Sequence, residues 1–158
     1  FDVAGWARSR HRLEGMRCYS GAGELDAFLQ RTDILVVLLP LTEETQGVLE
    51  LSLFRKLARD GRLGGPILIN AGRGGLQNEA DILAALEDGT LKAATLDVFQ
   101  TEPLPQDSPL WNDPRVTITP HNSSMSDPDA VAAGVARQIA AMERGEALRN
   151  VVARKQGY

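Results

Sequence analysis

Apolar runs of strand length alternate along this chain with stretches of helical period, and that alternation leaves few folds open. Strand-like segments fall at 1–7, 16–19, 33–39, 67–69, 92–99 and 115–119. Between them, 24–30 carries Leu25, Phe28 and Leu29 on one helical face, and 49–57 carries Leu53, Phe54 and Leu57. Asn78 reads as the N-cap of a further helix with Ile82, Leu83 and Leu86 facing inward and Gly89 ending it. A last, longer helix starts from a cap at Asp127 or Asp129 and runs to about Gly145, with Val131, Val135, Ile139 and Met142 on one face. Strands alternating with helices predict an α/β, Rossmann-like, doubly wound parallel sheet with helices on both sides. The near-continuous apolar run 33–39 fits a strand covered on both faces, and Pro40 ends it because proline cannot donate to a ladder. The segment 100–114 holds four prolines and reads as an extended loop, and the tail 146–158 is polar without a clear period.

With 158 residues, 43% of them hydrophobic, the chain can bury one sizeable core. A net charge of −4 gives no electrostatic case for a nucleic acid or an anionic membrane as partner. The longest apolar run, 34–39, is far too short to span a bilayer. The single cysteine, Cys18, has no partner for an intramolecular disulfide, so a reducing cytoplasm is the expected compartment.

Polar groups that can do chemistry sit just beyond three successive strand ends. The strand 67–69 stops at Asn70 and presents Arg73 among Gly72, Gly74 and Gly75. Glu102 follows the strand 92–99, and His121 follows 115–119. In an open α/β sheet the ligand crevice lies outside the carboxyl ends of the strands, so the three are expected to converge there. A guanidinium pairs with a carboxylate through two parallel hydrogen bonds, which suits Arg73 to a small oxo-acid. A protonated His121 can give its proton to the carbonyl oxygen as a hydride reaches carbon, and Glu102 beside it favours the protonated ring and fixes its orientation. No metal enters this reading.

The blocks INAGRGG (69–75), LDVFQTEPLP (96–105), SPLW (108–111) and PRVTITPH (114–121) resemble, in order and spacing, those of the D-isomer-specific 2-hydroxyacid dehydrogenases. The resemblance implies that Arg73, Glu102 and His121 form the catalytic set and that Asp97 hydrogen-bonds the nicotinamide carboxamide. It also implies that the loop with Leu39, Pro40, Thr42 and Thr45 lines the dinucleotide cleft, Leu39 and Pro40 through backbone and apolar contact. Thr42 and Thr45 read equally as loop caps. Ala71, Gly72 and His121 are likewise expected on the cofactor side. WARSR near the start, LLPLTEETQG, EPLPQDSPLWNDPRVTITPH and the closing Gly157-Tyr158 resemble the branch of the family that reduces glyoxylate and hydroxypyruvate. Glu102 stands where formate-oxidising members usually carry glutamine, which argues against that branch.

Cofactor choice can be argued from charge. The end of the second strand of a dinucleotide fold faces the adenosine ribose, where an acid selects NAD. Here Arg8, Ser9 and Arg10 stand there, so NADP(H) is the expected cofactor, with NAD the other possibility. Asn122, Ser123 and Ser124 depart from the small apolar pair usual after the histidine; two hydroxyls beside the nicotinamide would tune substrate choice, and capping of the coming helix is the expected role. Trp111 has three readings: a subunit contact, a place near the substrate, or the core. Cys18 is expected to be structural and His11 solvent-exposed.

The fingerprint G-x-G-x-x-G is absent, and the chain opens without Met inside a strand-like segment. The expectation is therefore a partial chain. Residues 1–122 would be the later portion of a dinucleotide-binding domain, and 123–158 a crossover helix and tail returning toward a substrate domain. Loss of the first strand should leave an unpaired edge in mid-sheet and, in the fragment alone, no turnover. The family resemblance implies a homodimer acting on a small 2-oxo acid. An NAD-linked phosphoglycerate or D-lactate dehydrogenase, and a dinucleotide-sensing module like a transcriptional corepressor, are the alternative functions.

Overall fold

The computed structural model describes residues 1–152. The tail from 153 on, with the closing Gly157-Tyr158, lies outside the described residues. All strands are parallel, as the alternation predicts, but they form two sheets rather than one. Strand β1 (Ala4–Ala7) pairs with β2 (Arg17–Ser20). Strands β3 (Ile34–Val37), β4 (Ile67–Asn70), β5 (Ala93–Leu96) and β6 (Val116–Ile118) form the second sheet in chain order. Among the described residues no ladder joins β1 or β2 to β3, so β3 is an edge strand of its sheet.

Helix α1 (Gly21–Leu29) connects the two sheets, α2 (Leu51–Phe54) lies between β3 and β4, and α3 (Glu79–Glu87) lies between β4 and β5. The Asn78 side chain accepts from the Asp81 N–H at 3.3 Å, the cap expected at α3. Gly89, at φ +77°, supplies the left-handed residue that ends this helix. Helix α2 is much shorter than the predicted 49–57. Leu49 instead pairs its backbone with the Leu76 carbonyl and the Asn78 N–H, which keeps it extended. Phe54 and Leu57 are nonetheless buried.

Alternate residues of the four-stranded sheet, Leu35 and Val37, Leu68, then Ala94 and Leu96, face the core with Leu29, Phe54, Leu57, Ile82 and Leu86. Each fully buried side chain of this size contributes roughly 1.5–3 kcal/mol. The expectation that β3 is covered on both faces is not met: Val36 is 54% exposed and Leu38 71%. Helices cover one face of this sheet, because α4 (Pro128–Glu143) does not pack on the other. It is capped by Asp127, whose carboxylate accepts the Asp129 N–H at 3.0 Å. Val131, Val135, Ile139 and Met142 share one face of it and all stay exposed. The loop 100–114 contains one short 3-10 turn, Pro109–Asn112.

Strand register positions the chemistry. Val37 aligns with Asn70, Asn70 with Leu96, and Leu96 with Ile118. The four strands thus end level, and the residues that follow them form one rim.

Candidate active site

The rim begins with Asn70, whose side chain is fully buried at the end of β4. Its Oδ1 accepts from the Gly72 N–H at 3.0 Å, and its Nδ2 donates to the Arg73 carbonyl at 3.3 Å. This turns the chain sharply and leaves Arg73 exposed, its Nη1 donating to the Gly72 carbonyl at 2.7 Å. A Cβ on Gly74 would lie 1.7 Å from the Phe99 carbonyl oxygen, so the loops after β4 and β5 touch backbone to backbone. Only glycine permits that approach. The Arg73 loop is thereby set against the loop that carries Glu102.

Glu102 and His121 meet directly. His121 Nδ1 and Glu102 Oε2 are 2.8 Å apart, and Glu102 Oε1 accepts the Phe99 N–H at 2.9 Å. The hydrogen bond from His121, and after it that from Phe99, hold the Glu102 carboxyl below its ordinary range, so it is ionised at neutral pH. An ionised carboxylate on Nδ1 fixes that nitrogen as the donor and leaves Nε2 as the ring's free working atom. Half of the His121 side chain is exposed.

His121 takes φ +50°, in the left-handed region that a non-glycine residue seldom adopts. Asp97 holds the loop in that shape. Its Oδ1 accepts from Thr119 Oγ1 at 2.6 Å and from the Asn122 N–H at 3.0 Å, and its Oδ2 from the Ser123 N–H at 3.1 Å. Burial acts to raise this carboxyl, which is 3% exposed, but bonds from Thr119, Ser123 and Asn122 outweigh it and bring it down to about 2. Asn122 and Ser123 therefore wrap Asp97 with their backbones. They do not cap the following helix, and neither does Ser124, because Asp127 takes that position.

The loop after β3 completes the rim. A Cβ on Gly72 would lie 2.9 Å from the Leu39 carbonyl oxygen, and one on Gly75 2.8 Å from Leu41 Cδ2. The Ala71 N–H donates to the Val37 carbonyl at 3.1 Å. Pro40 is exposed. Thr45 Oγ1 donates to the Pro40 carbonyl at 2.7 Å and accepts the Thr42 N–H at 2.8 Å, so both threonines brace their own loop. Arg8, Ser9 and Arg10 stand exposed at the end of β1, on the other sheet. Arg8 reaches across to Glu44 at 3.9 Å, which joins the ends of β1 and β3. Ser9 Oγ lies 3.2 Å from His11 Nε2, and Arg10, His11 and Arg12 line a cavity with Met16 and Cys18. Two guanidiniums with a hydroxyl and an imidazole are a donor set suited to a phosphate monoester. Trp111 is 51% exposed with its Nε1–H donating to the Pro105 carbonyl at 2.8 Å, which rules out the core reading.

Sequence reasoning missed three members of this rim. Thr119 reads only as the end of a strand, Glu79 as part of a helix start, and Gln77 carries no reading. A polar glutamine directly after Leu76, at the end of the arginine loop, is the one available signal for Gln77. Among the described residues no helix is long and apolar enough to cross a membrane.

Residues 1–123 match the sequence profile of the D-isomer specific 2-hydroxyacid dehydrogenase NAD binding domain. The chain belongs to the D-isomer-specific 2-hydroxyacid dehydrogenase family. This is a family of oxidoreductases acting on CH–OH donors. Glyoxylate/hydroxypyruvate reductase A of Salmonella paratyphi B is 43% identical over 158 residues, and that of Serratia proteamaculans 46%. This chain is covered completely in both matches but spans only 49%, about half, of the length of those relatives. The crystal structure of an NADPH-dependent glyoxylate/hydroxypyruvate reductase from Sinorhizobium meliloti, in complex with NADP and sulfate, is 51% identical with a TM-score of 0.96. A probable 2-hydroxyacid dehydrogenase from Rhizobium etli, in complex with NADP, HEPES and L(+)-tartaric acid, is 54% identical with a TM-score of 0.93. Each match covers all of this chain and 50% of the other.

Proposed function

We propose that this chain is the dinucleotide-binding and catalytic part of an NADPH-dependent reductase that converts glyoxylate and hydroxypyruvate to glycolate and glycerate. The observation that carries the reading is the Glu102–His121 hydrogen bond of 2.8 Å on the same rim as an exposed arginine. Relatives named glyoxylate/hydroxypyruvate reductase A at 43–46% identity support the choice of substrate.

NADPH, when bound, supplies the hydride. Arg73 holds the oxo-acid carboxylate through its guanidinium fork and draws on the carbonyl. The carbonyl oxygen accumulates negative charge as the hydride reaches carbon, and His121 gives that oxygen a proton from Nε2. Glu102 holds the ring through Nδ1 and compensates its charge. Hydride and proton together make the 2-hydroxy acid. Asp97 keeps the His121 loop in place, and Asp97, Leu39, Pro40, Thr45, Ala71 and Gly72 would hold the cofactor. Arg8, Ser9 and Arg10 take the 2′-phosphate. Helix α4 leads back toward a substrate-binding part, and the enzyme works as a homodimer in the cytoplasm, a compartment that suits a lone cysteine.

Steady-state reduction of glyoxylate by the full-length protein tests this. Arg73→Ala should abolish oxo-acid binding, and His121→Ala should lower the rate by about 10²-fold or more while sparing NADPH affinity. Near-normal turnover in either variant rejects the mechanism. No NADPH consumption by the wild type would favour a dinucleotide-sensing role instead.

A further inference from the structure

One fully buried amide on the rim touches none of the groups assigned a chemical step. Gln77 follows the 3-10 turn Gly74–Leu76, and its side chain spans from the β4 loop to the β5 loop. Its Oε1 accepts from Asn70 Nδ2 at 2.8 Å, and its Nε2 donates to the Val98 carbonyl at 3.0 Å. Asn70 in turn holds the Arg73 carbonyl and the Gly72 N–H. On the far side, Glu79 Oε1 accepts from Gln77 Nε2 at 3.4 Å and from the Gln100 N–H at 2.8 Å. A continuous line of hydrogen bonds therefore runs from the backbone of Arg73 to the backbone of Gln100.

Burying an amide is at best neutral against burying an apolar side chain of the same size. What it adds is direction, because a hydrogen bond fixes a distance and an angle where apolar packing does not. The two backbones that Gln77 joins bear opposite halves of the reaction. One carries Arg73. The other lies between Asp97 and Phe99, and the Phe99 N–H holds Glu102. Gly74 lets these loops touch, but a repulsive contact cannot stop them parting.

We infer that Gln77 is a positioning residue that fixes the separation between Arg73 and the Glu102–His121 pair. This rests on the oxo-acid reading above. With the separation fixed, an oxo acid held by its carboxylate at Arg73 brings its carbonyl oxygen to the His121 ring. With the tie cut, the two ends of the substrate are no longer held to one geometry, and a misplacement near 1 Å costs about 10²-fold.

The test is Gln77→Leu in the full-length protein. Steady-state kinetics with glyoxylate and NADPH are compared with deuterium uptake by segments 70–76 and 97–102. The expected result is a fall of about 10- to 100-fold in kcat/KM, with KM rising and kcat falling together. The NADPH dissociation constant should stay within about twofold, because Gln77 is fully buried and its side chain bonds to none of the residues assigned to the cofactor. Uptake should rise in both segments at once. A merely structural role would lower the folded fraction and leave KM unchanged. Wild-type KM and kcat, or uptake rising in one segment alone, overturns the inference. If the wild type does not reduce glyoxylate, the functional reading fails, and the uptake pattern still decides the role of Gln77. If Gln77→Leu does not fold, Gln77→Met replaces it, since it keeps the length of the side chain and removes its bonds to Asn70 and Val98. Uptake rising at both segments supports the tie, and a rise confined to the Gln100 end refutes it.

Discussion

Replacing Asp97 by asparagine isolates the charge that holds the His121 loop. The carboxylate accepts three donors, from Thr119, Asn122 and Ser123. Asparagine keeps the shape but turns one oxygen into an NH2 group that faces a donor, so it stands close to the protonated acid. The folded-state value of about 2 lies below the ordinary 3.8. A carboxyl lowered in this way stabilises the fold fully above its unfolded value, and the stabilisation disappears as pH falls through the folded one. The difference is worth about 2.4 kcal/mol at pH 7 and about 1.3 kcal/mol at pH 3, at 1.36 kcal/mol per pH unit. Because Asp97 is 3% exposed, solvent screening removes little of this. Urea denaturation of the full-length wild type and Asp97→Asn at both pH values, followed by tryptophan fluorescence, measures the gap. A gap under about 0.5 kcal/mol at pH 7, or one that stays constant down to pH 3, would refute the account of how this loop is held.

Other perturbations probe the rest of the rim. Gly74→Ala places a Cβ 1.7 Å from the Phe99 carbonyl oxygen and should cost about 3 kcal/mol or more in thermal or urea unfolding. Gly134→Ala, on α4 with nothing within 4 Å of its added Cβ, should instead stabilise by about 0.5–1 kcal/mol. Equal effects at the two glycines would contradict the backbone contact. Removing Arg8 and Arg10 together should raise the KM for NADPH by about 10-fold or more and leave that for NADH within twofold, each lost charged bond being worth about 1.5–3 kcal/mol. A wild-type preference for NADH would overturn the assignment of the 2′-phosphate.

The strands, the helix caps at Asn78 and Asp127, and the order of Arg73, Glu102 and His121 along successive strand ends were legible in the sequence. These features are local: apolar periodicity, a short polar side chain before a helix and a proline after a strand each act within a few residues. Parallel pairing then follows, because strands joined by helices come back in the same direction. Their level ends, Val37 beside Asn70 beside Leu96 beside Ile118, are a matter of register that only the assembled sheet decides. The 19-residue span between Glu102 and His121 could be read as a pair from family resemblance, but its distance could not. Val36, Leu38 and the apolar face of α4 look like core in the sequence and are exposed in the fold. An apolar side chain specifies that it prefers to leave water, not which surface will cover it. Asp97 and Gln77 show the same limit for polar groups. Apart from Asn70 and Glu79 close to Gln77, their partners lie 21 to 26 residues away, so the sequence supplied the donors and acceptors. Tertiary packing decided which of them meet, by bringing distant backbones within hydrogen-bonding reach and excluding the water that would otherwise compete.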